Sequence, residues 1–222
     1  MNKSIKRIIS ENRNFIIFIL LMTVFRSSLA DWNSVPTGSM KPTIVEGDRI
    51  VINKLAYDFH FPFSSISLAK LADPKRGDII VFNSKVSDKR LVKRVIGVPG
   101  DIVSMHNNKL SINGEVLLYN NQTDNIKPKI ATGYRQRTED LLGVTYSIIV
   151  SNRSTAASSF SPVTVPKDSY LALGDNRDNS ADSRYIGFIP RSEIIGRSNS
   201  VAMSFDYDDY YLLRKDRIFK SL

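Results

Sequence analysis

The chain has 222 residues, enough for one large domain or one domain with an inserted lobe. Its net charge of +9 raises nucleic acid as a partner, but no helix-turn-helix, zinc-finger or RNA-binding signature is present, so no nucleic acid is expected and the excess suits an anionic membrane surface instead. The absence of cysteine excludes disulfides, a thiol nucleophile and zinc–thiolate sites, and the only two histidines, His60 and His106, lie far apart and outside any H-E-x-x-H pattern.

Residues 1–14 carry Lys3, Lys6, Arg7 and Arg13 against Glu11. The apolar run "FIIFILLMTVF" (15–25) follows, shorter than the about twenty residues that span a bilayer. Its length fits a secretory signal peptide, with "SLA" (28–30) as a cut site. A short anchor over 15–30 is the alternative, because Arg13 and Arg26 can snorkel and Leu29, Ala30 and Trp32 can extend contact into the interface. Either way the basic flank stays cytoplasmic and the chain beyond residue 30 lies outside.

"SVPTGSMKPT" (34–43) comes next, where Pro36, Gly38 and Pro42 predict a tight irregular turn exposing Ser39. "GDRIVINKLAY" (47–57) alternates around Ile50, Ile52 and Tyr57, and "GDIIVFN" (77–83) is a short β-branched run. "RLVKRVIGVPGDIVSMHNNKLSINGEVL" (90–117) reads as three strands, the last carrying a two-residue Asn113-Gly114 hairpin turn. Residues 120–162 are polar and irregular, with "SNRSTAASSFSP" (151–162) expected to be a mobile loop. Strand character resumes at "SYLALGDNR" (169–177), "IGFIP" (186–190) and "SVAMSFD" (200–206), and helical periodicity is confined to the first thirty residues and the last ten. The pattern predicts a mainly β, barrel- or sandwich-like body with an inserted lobe.

A serine becomes a useful nucleophile when a base removes its proton and a further group holds that base. With histidine scarce, lysine is the alternative, provided burial lowers its pKa from about 10.4. On a regular strand Lys93 shares a face with Leu91 and Val95, while Arg94 points the other way with Val92 and Ile96 and stays protonated. The ordinary reading of this pair is a solvated basic surface. Lys41 and Lys54 are rival bases, Lys41 being tied to the exposed turn. "GDNRDNSADSRYIGFIP" (174–190) interleaves Asp, Asn, Arg and Ser too densely for a bland loop, and it lacks the glycine and terminal glutamate of an EF-hand calcium loop. A paired network is expected there, for instance Asp182 with Arg184, with Ser180 placed to orient a lysine amine.

Taken together, "GSMKPT", "GDRIVINK", "KRVIGVPGD", "GDNRDNSADSRYIGFIP" and "MSFD" (203–206) resemble, in order and spacing, the sequence boxes of type I signal peptidase, the membrane-bound serine–lysine endopeptidase of bacteria. The resemblance implies Ser39 as nucleophile and Lys93 as general base, with an oxyanion hole from the Ser39 N–H and the Thr37 hydroxyl. It implies Ser180 as the hydroxyl that positions the lysine, Asp182 and Arg184 as a bracing pair, and Met40 as a packing residue. No metal or cofactor is needed. The substrates implied are signal-peptide-bearing preproteins cut after a small residue. The chain is then expected to be monomeric, with a retained anchor at 15–30 in the bacterial inner membrane and a catalytic β domain (31–105 and 163–222) on the extracytoplasmic side. Residues 106–162 form an accessory lobe, and an apolar surface that includes "LAYDFHFPF" (55–63) rests on lipid, although an aromatic core cluster is an equal reading of that stretch. Many relatives carry two spans, whereas this chain offers one short one. A specialised serine–lysine peptidase for one pilus or conjugation substrate fits the same boxes. A non-catalytic anchored binding domain is disfavoured by the intact Ser39 and Lys93.

Overall fold

The computed structural model describes residues 10–64, 66–121, 131–207 and 209–222. The N-terminal apolar run forms helix α1 (Arg13–Ser28), which ends as the Leu29 N–H reaches back to Phe25 O. Its large side chains from Phe15 to Met22 are all exposed, so the helix stands off the body rather than packing on it. Among the described residues no helix is long and apolar enough to cross a membrane.

Everything else of consequence is strand. In chain order these are β1 (Ala30–Ser34), β2 (Asp48–Asn53), β3 (Asp58–His60), β4 (Ser67–Lys70), β5 (Ile79–Ser84), β6 (Lys89–Gly97), β7 (Ile102–His106), β8 (Lys109–Ile112) and β9 (Glu115–Val116). There follow β10 (Leu118–Asn121), β11 (Tyr134–Leu141), β12 (Val144–Ser151), β13 (Phe160–Thr164), β14 (Ser169–Leu173), β15 (Ile189–Pro190), β16 (Ile194–Asp206) and β17 (Leu212–Leu213), with one short helix, α2 (Ser183–Ile186), between β14 and β15. The principal sheet runs β1-β2-β16-β5-β6-β14-β15, with β17 paired to β16. Sheets of order β13-β7-β8-β9 and β10-β11-β12 pack beside it, and β3-β4 forms a separate hairpin. The protein is mainly β.

β6 is central because both of its faces are covered. Leu91 and Val95 join a cluster with Tyr57, Ile80, Phe82 and Tyr170, whereas Val92 packs with Ile50, Ile79 and Val81. The solvated reading of Lys93-Arg94 therefore fails: both residues are buried. The hairpin turn at Asn113-Gly114 forms as expected, with both residues at positive φ. A third cluster, containing Ile96, Val103, Leu110, Ile148, Val150 and Leu171, joins the principal sheet to the strands of 102–164 in one continuous core.

The expectation of an irregular segment over 120–162 is corrected. β11 and β12 are eight-residue strands paired residue for residue from Tyr134↔Ser151 to Leu141↔Val144. The alternation is obscured because β11 buries one polar residue on each face, Gln136 and Glu139. Nor is 151–162 an unstructured loop. Asp178 accepts from Ser151 N–H, Thr155 Oγ1 and Ser158 Oγ, a 3-10 turn forms at Ala156–Ser158, and β13 begins at Phe160. Part of the expected irregular stretch, 122–130, lies outside the described residues. Of "LAYDFHFPF", only Ala56, Tyr57, Asp58 and His60 are covered to any depth besides half-sheltered Pro62, while Leu55, Phe59, Phe61 and Phe63 are exposed, so the stretch is not an aromatic core cluster. The last ten residues contribute one 3-10 turn, Lys215–Arg217.

Candidate active site

Ser39 sits in the loop between β1 and β2. Met40 and Ile44, one helical turn apart and bonded Ile44 N–H to Met40 O at 2.9 Å, both plunge into the core with Val35, Ile50 and Ile52. Burying the neighbours on one side leaves Ser39 half-exposed on the other. Polar ties hold the far end of the loop. Arg217 forks onto Asp48 at 2.9 and 2.5 Å and also donates to Thr43 O at 3.0 Å. At Gly47, φ is +88° and a β-carbon would overlap Phe205 O, so only glycine fits.

Lys93 approaches from β6. Its Nζ lies 2.8 Å from Ser39 Oγ and 3.0 Å from Val92 O, and the residue is 2% exposed. Burial lowers its pKa to about 8, against the opposing pull of the Asp182 and Asp175 carboxylates. Such a lysine is neutral in an appreciable fraction near neutral pH and can accept a proton across that contact.

The segment 174–184 closes the site from above. Asn176 donates its backbone N–H to Ser39 O and its side-chain amide to Gly38 O, both at 3.0 Å. Gly174 lies so close that a β-carbon there would overlap Ser39 O and Ser180 Oγ. Asp182 caps α2, accepts from Gly174 N–H at 3.0 Å, and pairs side-on with Arg184 at 2.7 and 2.6 Å. Arg184 extends the brace to Ala157 O and Arg177 O.

Of the residues singled out in the sequence, the fold therefore brings together Ser39, Lys93, Ser180, Asp182 and Arg184. Thr37 lies exposed two residues before Ser39. Ser180 does not bond to Lys93: its Oγ is buried with no partner among the described residues. The rival lysines are placed elsewhere. Lys41 pairs with Glu46 at 2.6 Å, and Lys54 donates to Arg26 O and Ser27 O at the end of α1. His106 is exposed beside Asn107, and His60 lies in the β3-β4 hairpin.

Sequence reasoning missed three supports. Arg94 grips Asp175 at 2.8 and 2.7 Å and stacks 4.0 Å from the Tyr146 ring. Arg177, fully buried, forks onto Glu139 at 2.8 and 2.6 Å, and Glu139 also accepts from Tyr119 and Tyr146 hydroxyls. Asn176 is the third. The only signal for any of them was the charge density of 174–184 itself.

Residues 6–203 match the family described as signal peptidase, peptidase S26. Signal peptidase I of Pseudomonas fluorescens is 33% identical over 211 residues, covering 89% of this chain and 73% of that protein. Signal peptidase I of Bacillus amyloliquefaciens is 33% identical over 191 residues, covering 86% and 82%. A crystal structure of a signal peptidase I from Enterococcus faecalis V583 aligns with a TM-score of 0.36 at 30% identity, over 58% of this chain and 98% of that one. With a family match across most of its length and relatives of this identity, the chain belongs to the type I signal peptidases and is a hydrolase.

Proposed function

We propose that the protein is a membrane-anchored endopeptidase that removes signal peptides from exported preproteins with Ser39 as nucleophile and Lys93 as general base. The observation that carries this is the 2.8 Å contact between a half-exposed hydroxyl and a buried amine whose pKa is lowered to about 8. Neutral Lys93 takes the Ser39 proton as Oγ attacks the carbonyl after a small residue of the preprotein. The resulting oxyanion falls to the Ser39 N–H, which bonds to no described residue, and to the Thr37 hydroxyl. Lys93 then hands its proton to the leaving amine, and water activated by the same lysine releases the acyl-enzyme. Ser180, Asp182 and Arg184 hold the wall against which Lys93 works.

The exposed apolar surface of α1 supports a retained anchor, aided by snorkelling arginines at its ends. The Ala30–Asp31 bond lies inside β1, where Ala30 pairs with Asn53 and Asp31 with Ile52, so a cut after Ala30 would require that strand to leave the sheet. The catalytic body then sits on the extracytoplasmic side, with the exposed Phe59, Phe61 and Phe63 available to lipid. The test is cleavage of a model preprotein by detergent-solubilised protein, beside Ser39→Ala and Lys93→Ala. Cleavage after a small residue by the unaltered chain, with a loss of about 10⁴-fold or more in each folded variant, is expected. Retained activity in Lys93→Ala would remove the lysine from the mechanism.

A further inference from the structure

Three elements bring cations to one carboxylate at the foot of α1. Asp31 on β1 faces Arg26 of the helix at 2.9 Å, Arg90 of β6 at 3.8 Å and Lys54, just past β2, at 3.9 Å. The three cations share one anion, and the positive crowding is felt: burial first, then Arg90 and Arg26 against the pull of Asp31, lower the Lys54 pKa. The Arg26 guanidinium also lies 4.4 Å from the ring centre of half-exposed Trp32. Arg90 leads directly into the β5-β6 turn. There a concavity of about 270 Å³ is lined by Asn83, Ser84, Lys85, Asp88, Lys89 and Arg90. Lys85 and Lys89 are exposed and form no ion pair with a described residue, the local acids being Asp88 and Glu193, and Val86 at the tip is 73% exposed.

We infer that the β5-β6 turn, with the Arg26–Lys54–Arg90 cluster behind it, is a contact site for the phosphate headgroups of anionic phospholipids. The chemistry is that of an interfacial motif: an apolar tip to enter the headgroup layer, flanked by long cationic side chains, continuous with the foot of an apolar helix. A headgroup phosphate would supply the negative charge that Asp31 alone provides to three cations. This rests on the membrane-anchored reading above, and it adds which lipid the body reads and with which residues.

The chain contains no cysteine, so Val86→Cys accepts a single environment-sensitive fluorophore. The full chain is reconstituted into phosphatidylcholine vesicles with or without phosphatidylglycerol. Expected are a blue shift and protection from an aqueous quencher only when phosphatidylglycerol is present, both lost in molar salt, where screening acts within about 3 Å. Removing one lysine, as Lys85→Gln or Lys89→Gln, should raise the anionic lipid needed for half the shift about fivefold, and removing both should abolish it. The double variant should cleave a soluble peptide at the unaltered rate, and a probe at Tyr210→Cys, in the turn between β16 and β17, should not respond. An equal shift in both vesicles, or an unchanged shift in the double variant, overturns the proposal while leaving the anchor intact. Failure of the chain to enter either vesicle overturns both.

Discussion

A lysine that works as a base must be uncharged when the substrate arrives, and burial moves Lys93, the base proposed above, toward that condition. With a pKa of about 8, cleavage rate should rise with pH through that value and level off above it, and a pH–rate profile measured on the folded enzyme checks this. The same shift affects stability. Because the folded lysine releases its proton at a lower pH than the 10.5 of the unfolded chain, the unfolded state binds more protons between about 8 and 10.5. Stability should therefore rise with pH across that window, by on the order of 3 kcal/mol, and Lys93→Met should flatten the rise. Ser180 makes an opposite case. Its buried hydroxyl, without a partner among the described residues, costs about 1–3 kcal/mol in the resting state. Ser180→Ala should leave the melting temperature unchanged or higher while lowering kcat. Unchanged kcat would show that the hydroxyl takes no part in positioning the lysine.

Among elements, the segment 174–184 has the most demands placed on it. It must approach the Ser39 loop closely enough for Asn176 to bond two successive carbonyls, Gly38 and Ser39, and that approach leaves no room for a side chain at residue 174. Gly174→Ala should displace the Ser39 carbonyl or the Ser180 hydroxyl, with a fall in kcat well beyond any fall in stability. Activity and urea unfolding measured on the same preparation separate the two effects. The dense polar composition of this segment announced a network. It did not announce that the network's other halves lie on β6, at Arg94, and on β11, at Glu139. The β11 strand escaped detection for the same reason: a polar residue inside a sheet looks like loop until its partner is known.

Across the whole molecule, the pair Arg177–Glu139 fastens the β11-β12 hairpin to the segment 174–184 in a fully dehydrated setting. A buried pair adds little over apolar packing, but breaking one strands a charge. Glu139→Gln keeps the shape and removes the charge, so it should cost about 3–5 kcal/mol and shift the denaturation midpoint accordingly. Because Arg184 bonds to Arg177 O, the same substitution should lower activity even where the protein remains folded. A midpoint within error of the unaltered chain would mean that the hairpin is held by its apolar core alone.

The sequence by itself determined the mainly β class, the turn at Asn113-Gly114, the exposure of Ser39 and the family, because each rests on neighbours along the chain: alternation, turn-formers and ordered boxes. What tertiary structure alone decided is that Lys93, 54 residues from Ser39, lies 2.8 Å away and dry, that Arg94 and Arg177 are buried with carboxylates, and that the Ser180 hydroxyl has no partner among the described residues. The physical reason is that a cation's hydration, and hence its pKa and its use as base or brace, is set by what packs over it from distant strands. Local composition records the charge and leaves its surroundings open.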